Sequence, residues 1–435
     1  MDIREQLAQL RQKIDGINAR YAAPAPPGPM PRPGSGLIEE LVSGEVVETP
    51  HGSHFEMERC FAPHHRHGSF EISDMANLPA DLLNALSDGA IAACPPRRWL
   101  FLDTETTGLA GGSGTYAFLI GVGSIGDDGF RVRQFFMRDY SEEASVLHSL
   151  AEYIARFDVL ITYNGRAYDQ PLLETRYTMC RARHPFGRME HLDLLYGARR
   201  LFRLRLENCR LVNLENQILG FEREGDIPGE MIPYCYFEYL RSHRAFRLPP
   251  IFHHNVLDIV SLACLTGVIS GFFRDAFRNP ANVKARHGMD LLGLARWLQV
   301  SGRLDEANRL LRRAIEMGLP DEHLFATLFA AGQIEKKQGL VHAALATFTD
   351  LSLSPNAFRA RAYEELARHY EHRERSFAMA IECVRAARQI ADSDALRKRH
   401  ERLEGKCASA TLRGTPHGRN RRMLSRMSAM DSGLL

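Results

Sequence analysis

The stretch WLFLDTETTG occupies residues 99–108, just under a quarter of the way along the 435-residue chain. Its first four residues are apolar and predict a buried strand. Two carboxylates follow, Asp103 and Glu105, separated by one threonine. Because alternate residues of a strand point to the same face, the two side chains are predicted to lie side by side at the strand end. Like charges this close repel each other unless a positive group lies between them.

Two later segments bring further carboxylates to the ends of regular elements. VLITYNGRAYDQPLL (159–173) is typical of an apolar strand that runs into a polar turn and then a helix beginning near Asp169. PPIFHHNVLDIVSL (249–262) is typical of a helix start, and His254 and Asp258 are four residues apart in it. Residues at this spacing share a helix face. Four carboxylates and one histidine can therefore surround a single site.

This set of side chains suits divalent metal chemistry. Mg2+ and Mn2+ bind carboxylate oxygens, water and substrate phosphates. Two such ions about 4 Å apart can hold the attacking and leaving oxygens of a phosphodiester. A histidine beside them can accept the proton of the attacking water. We therefore predict that Asp103 and Glu105 are held together by metal in a phosphodiester-hydrolysing site.

Three motifs, in this order, resemble those of the DEDD, or DnaQ-like, exonucleases, a superfamily with the ribonuclease-H fold. They are F-x-D-x-E-T-T-G (101–108), N-x-x-x-Y-D (164–169) and H-N-x-x-D (254–258). The flanking sequence is similar to the YprB-like branch through the glycine run 108–123, the segment 213–240 and the C-terminal helical part. The resemblance covers roughly residues 40–275 and, more loosely, the region that follows.

The resemblance implies a 3′-to-5′ exonuclease that acts on single-stranded DNA or RNA with two Mg2+ or Mn2+ ions. The implied metal ligands are Asp103, Glu105, Asp169 and Asp258. The implied substrate-binding residues are Thr106, Gly108, Asn164, Tyr168 and Asn255. Exonuclease mode and polarity follow from the resemblance, whereas the spacings alone support two-metal phosphodiester hydrolysis.

The general base has two candidates, because the sequence departs from both subtypes of the superfamily. In one subtype a histidine lies five residues before the last aspartate, the position of His253. In the other a tyrosine lies four residues before it, the position of His254. We favour His254, because Asn255 fixes the register and the spacing aligns this histidine with Asp258. A His253 in the turn before the helix would reverse the choice.

The chain divides into segments with different patterns. Residues 1–36 predict an N-terminal helix and a proline-rich linker, and 37–95 an appended β-hairpin region. Residues 96–275 predict an α/β domain, a ribonuclease-H-like mixed sheet flanked by helices. Residues 285–405 predict an all-α helical-repeat domain, and 406–435 a basic disordered tail.

The helical repeats are indicated by a spacing near 37 residues. Gly302 and Gly339 are 37 apart, as are Ala307 and Ala344, and Ala380 follows 36 residues later. This resembles the tetratricopeptide repeat, with a plain helical bundle as the alternative. Such repeats predict a protein partner.

Composition restricts the classes of function. The formal net charge is only +2, so the molecule as a whole does not attract nucleic acid strongly. The eight cysteines contain no CxxC pair, which argues against a zinc ribbon or a disulfide framework and fits a reducing cytoplasm. The longest apolar stretch, 256–273, contains Asp258 and predicts a buried helix rather than a membrane span. We expect a cytoplasmic protein without membrane association.

Several further residues have two interpretations. Asp193 is a substitute ligand or, as we favour, a helix cap. Tyr163 and Tyr168 stack a base or pack between strand and helix. Nine arginines between Arg176 and Arg210 track a phosphate backbone or cover solvated helix faces. The glycines after Gly108 form a hairpin open to nucleic acid or a plain tight turn, and no GxxxxGK[ST] accompanies them. His64, His65 and His67 bind zinc or, as we favour, lie in a solvated loop.

Two alternative functions stay open beside the exonuclease. One is a catalytically silent nucleic-acid-binding or scaffold protein that uses the helical repeats. The other is an endonuclease on structured RNA or an RNA–DNA hybrid. We favour an enzyme, because clustered carboxylates destabilise one another when nothing neutralises them.

Overall fold

The computed structural model describes residues 36–108 and 114–412. A seven-stranded mixed sheet forms the centre of the N-terminal part, in the order β1-β2-β7-β6-β5-β8-β9. Its strands, with a two-stranded ribbon β3-β4, are β1 (Glu45–Thr49), β2 (Gly52–Phe61), β3 (Arg66–His67), β4 (Phe70–Glu71), β5 (Trp99–Thr106), β6 (Ala117–Gly126), β7 (Gly129–Phe136), β8 (Val159–Thr162) and β9 (Glu190–Asp193). The predicted N-terminal helix and most of its linker lie outside the described residues.

The central position of β5 explains its sequence. It pairs antiparallel with β6 and parallel with β8. Residues 99–102 are at most 1% exposed, because both faces of the strand are covered. The sequence of a strand that is buried on both faces is a continuous run of apolar residues. Polar side chains begin at Asp103, where the strand leaves the core, and this end carries the candidate site.

Helices cover both faces of the sheet, and the predicted ribonuclease-H-like mixed sheet with flanking helices is confirmed. The helices of this part are α1 (Ile38–Leu41), α2 (Ile72–Ala76), α3 (Leu82–Leu86), α4 (Glu143–Ile154), α5 (Asp169–Met179), α6 (Leu194–Phe202), α7 (Leu211–Leu214), α8 (Ile232–Ser242) and α9 (Pro249–Arg278). Strand β9 was not predicted, because three of its four residues, EHLD, are polar and it lacks the apolar run that marks β8.

The predicted appended hairpin is part of the central sheet. β2 pairs antiparallel with β7, with Phe55 opposite Phe136, so β1 and β2 extend the sheet at that edge. Phe55 is fully buried. The hairpin therefore contributes to the same core as the rest of the sheet instead of forming a separate unit.

Helix α9 crosses the sheet and lies against β6. By length and composition it is the one candidate membrane span among the described residues, but 72% of its most apolar window is buried inside the protein. Two glycines of β6 allow its close approach. A Cβ at Gly121 would lie 2.0 Å from Asn255 Oδ1, and a Cβ at Gly123 would lie 2.5 Å from Ile259 Cγ2. The sequence-based prediction of a buried helix agrees with this packing.

The C-terminal part is all-helical, as predicted. Its helices are α10 (Gly288–Val300), α11 (Leu304–Glu316), α12 (Asp321–Lys337), α13 (Val341–Leu353), α14 (Arg359–His372), α15 (Phe377–Ile390) and α16 (Asp394–Leu412). The 37-residue spacing recurs in the backbone: Gly302 and Gly339 both have φ of 75°, and Arg375 occupies the third equivalent turn with φ of 53°. The tetratricopeptide class itself stays a prediction.

One hydrophobic cluster spans the two parts of the chain. The cluster that contains Trp99 and Ile259 continues into Leu291 and Leu310 of α10 and α11. At the C-terminus, helix α16 runs to Leu412. The prediction of a disordered tail from residue 406 is therefore wrong for 406–412, and the remainder lies outside the described residues.

The contact at Gly121 can be tested by Gly121→Ala. The added methyl group would meet both Asn255 Oδ1 and, at 2.3 Å, Ile259 Cδ1. We expect the free energy of unfolding to fall by about 1–3 kcal/mol, as for other overpacked cores. The matched control is Gly271→Ala in α9, where an added Cβ meets nothing within 4 Å. This variant should be neutral or gain up to about 1 kcal/mol, because alanine favours a helix. Urea unfolding of the two variants makes the comparison, and equal effects would contradict the packing argument.

Candidate active site

The end of β5 and one face of α9 bring three ligand-type side chains together. One ligand atom each from Glu105, His254 and Asp258 lies within 4.8 Å of the other two. Glu105 comes from the strand, whereas His254 and Asp258 are one helical turn apart on α9. The i,i+4 spacing read from the sequence therefore aims both helix residues at the strand end.

Asp103 is fixed from behind by a buried polar chain. Asn255 Nδ2 donates to Asp103 Oδ2 at 2.8 Å. Asn255 Oδ1 in turn accepts from Gln134 Nε2 at 2.7 Å, and this amide also donates to the Phe252 carbonyl at 3.0 Å. Asn255 and Gln134 are both fully buried. Asn255, predicted to bind substrate, is thus placed where it orients a carboxylate.

Asp169 begins helix α5 beside the strand end. Thr104 Oγ1 donates to Asp169 Oδ1 at 2.5 Å. The side chain of Tyr168, next to it, is 60% exposed and free to meet a ligand. Thr106 Oγ1 donates to the Gly108 carbonyl at 2.9 Å and so shapes the end of the strand. The glycine hairpin predicted after Gly108 falls on residues 109–113, outside the described residues.

The turn between β8 and α5 is held by Asp193. Asn164 has φ of 67°, a left-handed conformation that asparagine tolerates better than most residues. Its backbone N–H donates to Asp193 Oδ1 at 2.8 Å. The same oxygen accepts from Leu195 N at 3.1 Å, so Asp193 is the N-cap of α6, as favoured from the sequence. Tyr163 donates its hydroxyl to the Cys209 carbonyl and packs against the core.

The two candidate base residues have different surroundings. His253 is exposed, whereas the side chain of His254 is 13% exposed and faces the carboxylates. His254 Nδ1 donates to Asp226 Oδ2 at 2.8 Å. Its Nε2 lies 3.5 Å from Asp258 Oδ2. The imidazole is therefore oriented by one carboxylate and presents its other nitrogen to the site.

A buried arginine, Arg223, links the carboxylates of the site. Its side chain is 4% exposed and forms a two-point contact with the fully buried Glu215, at 2.5 and 2.7 Å. It also donates to Asp226 at 2.9 Å and to Asp258. Glu215 begins a π-helical turn, Glu215–Leu219, a rare element that is frequent at functional sites.

The pKa values report the cost of this crowding. Burial, followed by the charges of Asp258, Asp169 and Glu105, holds the pKa of Asp103 well above its usual range. Burial, opposed by His254 and reinforced by the other carboxylates, raises the pKa of Glu105 to about 8. Burial raises the pKa of Asp169 to about 6 although Thr104 donates to it. These groups resist ionisation together, as expected when positive charge is lacking between them.

The positive groups of the site lie on the α9 side. Although burial opposes it, the hydrogen bond that His254 donates to Asp226 and the charges of Asp258 and Glu105 raise the pKa of His254 to about 9. Burial disfavours the charge of Arg223 as well, but its contacts with Glu215 and Asp258 raise its pKa. Neither group is hydrogen-bonded to Asp103 or Asp169. The carboxylate oxygens at the end of β5 and the start of α5 fit a hard divalent cation.

The remaining histidine candidates do not form a metal site. His67 Nε2 bonds to Ser261 Oγ at 2.7 Å, and its ring lies 3.9 Å from that of Phe221. Burial lowers the pKa of His67 to about 4, so its imidazole is neutral. His64 is exposed. Within 36–108 and 114–412, the Glu105–His254–Asp258 group is the cluster that fulfils the distances for a metal.

Sequence reasoning missed the residues that support the site from a distance. These are Gly121, Gln134, Glu215, Arg223 and Asp226. A signal was present for four of them, because the similarity to the YprB-like branch included the glycine run 108–123 and the segment 213–240. No spacing rule connects these segments to α9, so their contacts could not be assigned from the sequence.

Known proteins resemble this chain over most of its length. A family profile described as RNase_H superfamily matches residues 100–270. The uncharacterized protein YprB of Bacillus subtilis (strain 168) is 30% identical over 373 residues, which is 81% of this chain and 86% of that protein. A family B DNA polymerase from the archaeon Pyrobaculum calidifontis aligns with 48% of this chain and 30% of its own, at 15% identity. Its TM-score of 0.35 is too low to support an argument.

The raised pKa of Glu105 predicts an unusual pH dependence of stability. The ordinary pKa of a glutamate is 4.5, and that of Glu105 in the folded protein is about 8. At a pH between these two values, the folded protein holds a proton on Glu105 that the unfolded chain has released. Stability of the metal-free protein is therefore present at acid pH and lost as the pH rises through about 8. We expect Glu105→Gln to raise the melting temperature at pH 8 in EDTA, since one pKa unit is worth about 1.4 kcal/mol.

Melting curves between pH 5 and 9 test this, with Glu152→Gln as the control at a side chain that is 73% exposed. The control should follow the wild type. Added Mn2+ should stabilise the wild type more than Glu105→Gln. A pH profile of Glu105→Gln that coincides with that of the wild type in EDTA would contradict the assignment.

Proposed function

This chain belongs to the YprB-like family of the ribonuclease H superfamily, and we propose that it is a divalent-metal-dependent nuclease. We propose further that it is a 3′-to-5′ exonuclease on single-stranded DNA or RNA. The observation that carries the proposal is the meeting of Glu105, His254 and Asp258 within 4.8 Å, beside the half-buried carboxylates of Asp103 and Asp169.

Metal binding is assigned to Asp103, Glu105, Asp169 and Asp258. Two Mg2+ or Mn2+ ions held there would polarise the phosphodiester and make bound water more acidic. The protein contributes the fixed direction of the carboxylates. Asn255 holds Asp103 by a 2.8 Å hydrogen bond, and Thr104 holds Asp169 by one of 2.5 Å. Prefixed ligands reduce the cost of reorganisation when ions and substrate bind.

His254 is the proposed general base. In the metal-free protein the raised pKa keeps this imidazole protonated at neutral pH, and divalent ions bound to Asp258 and Glu105 would offset the charges that raise it. Asp226 accepts a hydrogen bond from Nδ1, so the neutral imidazole would then carry its proton there and present a free lone pair at Nε2. That nitrogen faces Asp258, and thus the place where the attacking water is expected. His253 is exposed and has no such orienting partner among the described residues.

Arg223 is proposed as a positioning residue. It holds Asp226 and Asp258 at once, and its charge is anchored by the fully buried Glu215. A planar guanidinium suits this task, because its donors have a fixed geometry. Removal of Arg223 would leave Glu215 buried without a counter-charge, which is strongly destabilising.

Substrate contacts are assigned to the rim of the site. The exposed ring of Tyr168 precedes Asp169 and can stack on a base, and Thr106, Gly108 and Asn164 border the same strand ends. Stacking of unpaired bases favours single-stranded substrates. The helical region is assigned to contacts with a protein partner, and we place the protein in the cytoplasm.

A catalytically silent scaffold explains the site less well. The carboxylates of Asp103, Glu105 and Asp169 all carry raised pKa values, so their proximity lowers the stability of the metal-free fold. A domain that only binds would be more stable with neutral side chains at these positions. The arrangement is reasonable when metal ions bind there.

The central test is degradation of 3′- and 5′-end-labelled single-stranded DNA and RNA. We expect laddering from the 3′ end in Mn2+ or Mg2+, and none in EDTA. Asp103→Asn keeps the volume and removes the charge, so it should lose cleavage while it keeps the fold. Isothermal titration with Mn2+ should show fewer or weaker sites in this variant. Folded wild-type protein that binds no divalent ion and cleaves none of the substrates would overturn the proposal.

The identity of the base is tested by a pair of neighbouring substitutions. His254→Gln should lower kcat by about 10²–10⁴, the usual contribution of a general base. His253→Gln, at an exposed position on the same helix, should retain activity. Asp226→Asn should shift the pH–rate profile and lower kcat with little change in KM, because it disturbs the imidazole and not the substrate. Similar losses in both histidine variants would contradict the choice.

A further inference from the structure

A second cleft opens where the nuclease part meets the helical region. Its volume is about 790 Å3, within the roughly 300–1,000 Å3 of ligand-binding clefts. Helix α6 and the turn after α3 line one side, and α10 lines the other. The two sides touch at Gly293, where an added Cβ would lie 2.6 Å from the Arg200 carbonyl oxygen. Both parts of the chain therefore determine the shape of this cleft.

Four arginines line the cleft. Three come from α6 and the residues that follow it, Arg199, Arg200 and Arg203, and Arg296 comes from α10. Arg200 forms an ion pair with Asp88 at 3.2 Å. Within the described part of the chain, the side chains of the other three make neither an ion pair nor a hydrogen bond. Asp88 is also occupied by Trp297, whose indole N–H donates to it at 3.0 Å.

Three of the four arginines lack a paired counter-charge among the described residues. Burial, followed by the charge of Arg203, lowers the pKa of Arg296. Guanidinium groups this close repel, and among the described residues no side-chain carboxylate pairs with Arg199, Arg203 or Arg296. An anion of the right size would do so. Arginine is well suited to phosphate, because its planar fork makes two parallel hydrogen bonds.

An exposed aromatic side chain borders the same cleft. Tyr196 is 50% exposed and lies on α6, one turn before Arg200. Arginines that neutralise phosphates, together with an aromatic face on which a base can stack, are the usual elements of a single-strand binding groove. An acidic peptide would use the arginines but has no need of the tyrosine face.

The cleft is distinct from the catalytic site. Helix α6 begins after Asp193, which holds the turn that leads to Asp169. Arg199 and Arg203 are six and ten residues further along the chain, so they lie roughly 9–15 Å from that edge along the helix direction. None of the proposed metal ligands lines the cleft.

We propose that this arginine cleft, formed jointly by α6 and α10, binds the phosphodiester backbone of single-stranded nucleic acid. The choice of nucleic acid as ligand rests on the proposed function. The cleft gives the helical region a direct part in substrate binding, since Arg296 comes from its first helix. It also accounts for part of the arginine run between Arg176 and Arg210, which the catalytic site leaves without a role.

The test is binding of fluorescein-labelled oligothymidylate and oligouridylate, about 12 nucleotides long, in EDTA so that cleavage cannot occur. The variant Arg199→Gln/Arg203→Gln/Arg296→Gln removes three charges from the cleft. The matched control, Arg309→Gln/Arg373→Gln/Arg385→Gln, removes three exposed charges from the helical region. The cleft variant should bind at least tenfold more weakly. Its slope of log K against log salt should fall by about 2, since each phosphate contact to a single strand contributes about 0.7.

Tyr196→Ala supplies the second arm, because loss of stacking should weaken binding without a change in the salt slope. Equal affinities and slopes for the cleft and control variants would overturn the proposal. A third outcome would reassign the cleft to an acidic peptide. In that case polyglutamate would displace the oligonucleotide at equal charge concentration, and Tyr196→Ala would have no effect on oligonucleotide binding. This test does not depend on catalysis. If the wild-type protein cleaves no substrate but the cleft variant binds the oligonucleotide more weakly, the nuclease proposal is refuted and the proposal for the cleft is supported.

Discussion

Repulsion between half-buried carboxylates is the constraint on which the candidate site depends. Asp103, Glu105 and Asp169 all have raised pKa values where β5 leaves the core. The protein supplies two positive groups nearby, Arg223 and His254, and both are held by carboxylates of their own. The charge is therefore balanced on the α9 side and unbalanced on the β5 side. A divalent cation would complete the balance where the protein does not.

The close approach of α9 to the sheet is what brings these groups together. Gly121 leaves room for Asn255, and Asn255 connects the buried amide of Gln134 to Asp103. Overpacking at this one glycine would move the helix and its ligands relative to the strand. Stability and site geometry thus depend on the same contact, in the core rather than at the rim.

Local patterns predicted the parts of the fold and of the site that a short segment determines. The sequence alone predicted three of these features: the apolar run of β5, the i,i+4 pair His254 and Asp258, and the helix cap at Asp193. Arg223 was not, because its partners lie 3 to 35 residues away and only the fold brings all of them to one guanidinium. A hairpin within 37–95 was recognised, but its pairing with β7 depends on an edge that no local pattern reveals.

The two cations of the site differ in how firmly the fold holds them. Glu215 is fully buried and grips Arg223 at two points, so this pair is a fixed part of the core. His254 depends on Asp226, which is 14% exposed and also contacts Arg223. Arg223 thereby sets the position of Asp226, and Asp226 sets the orientation of the imidazole. The contacts thus lead outward from the buried Glu215 through Arg223 and Asp226 to the imidazole of His254. They hold His254 in place whether or not ions bind on the β5 side.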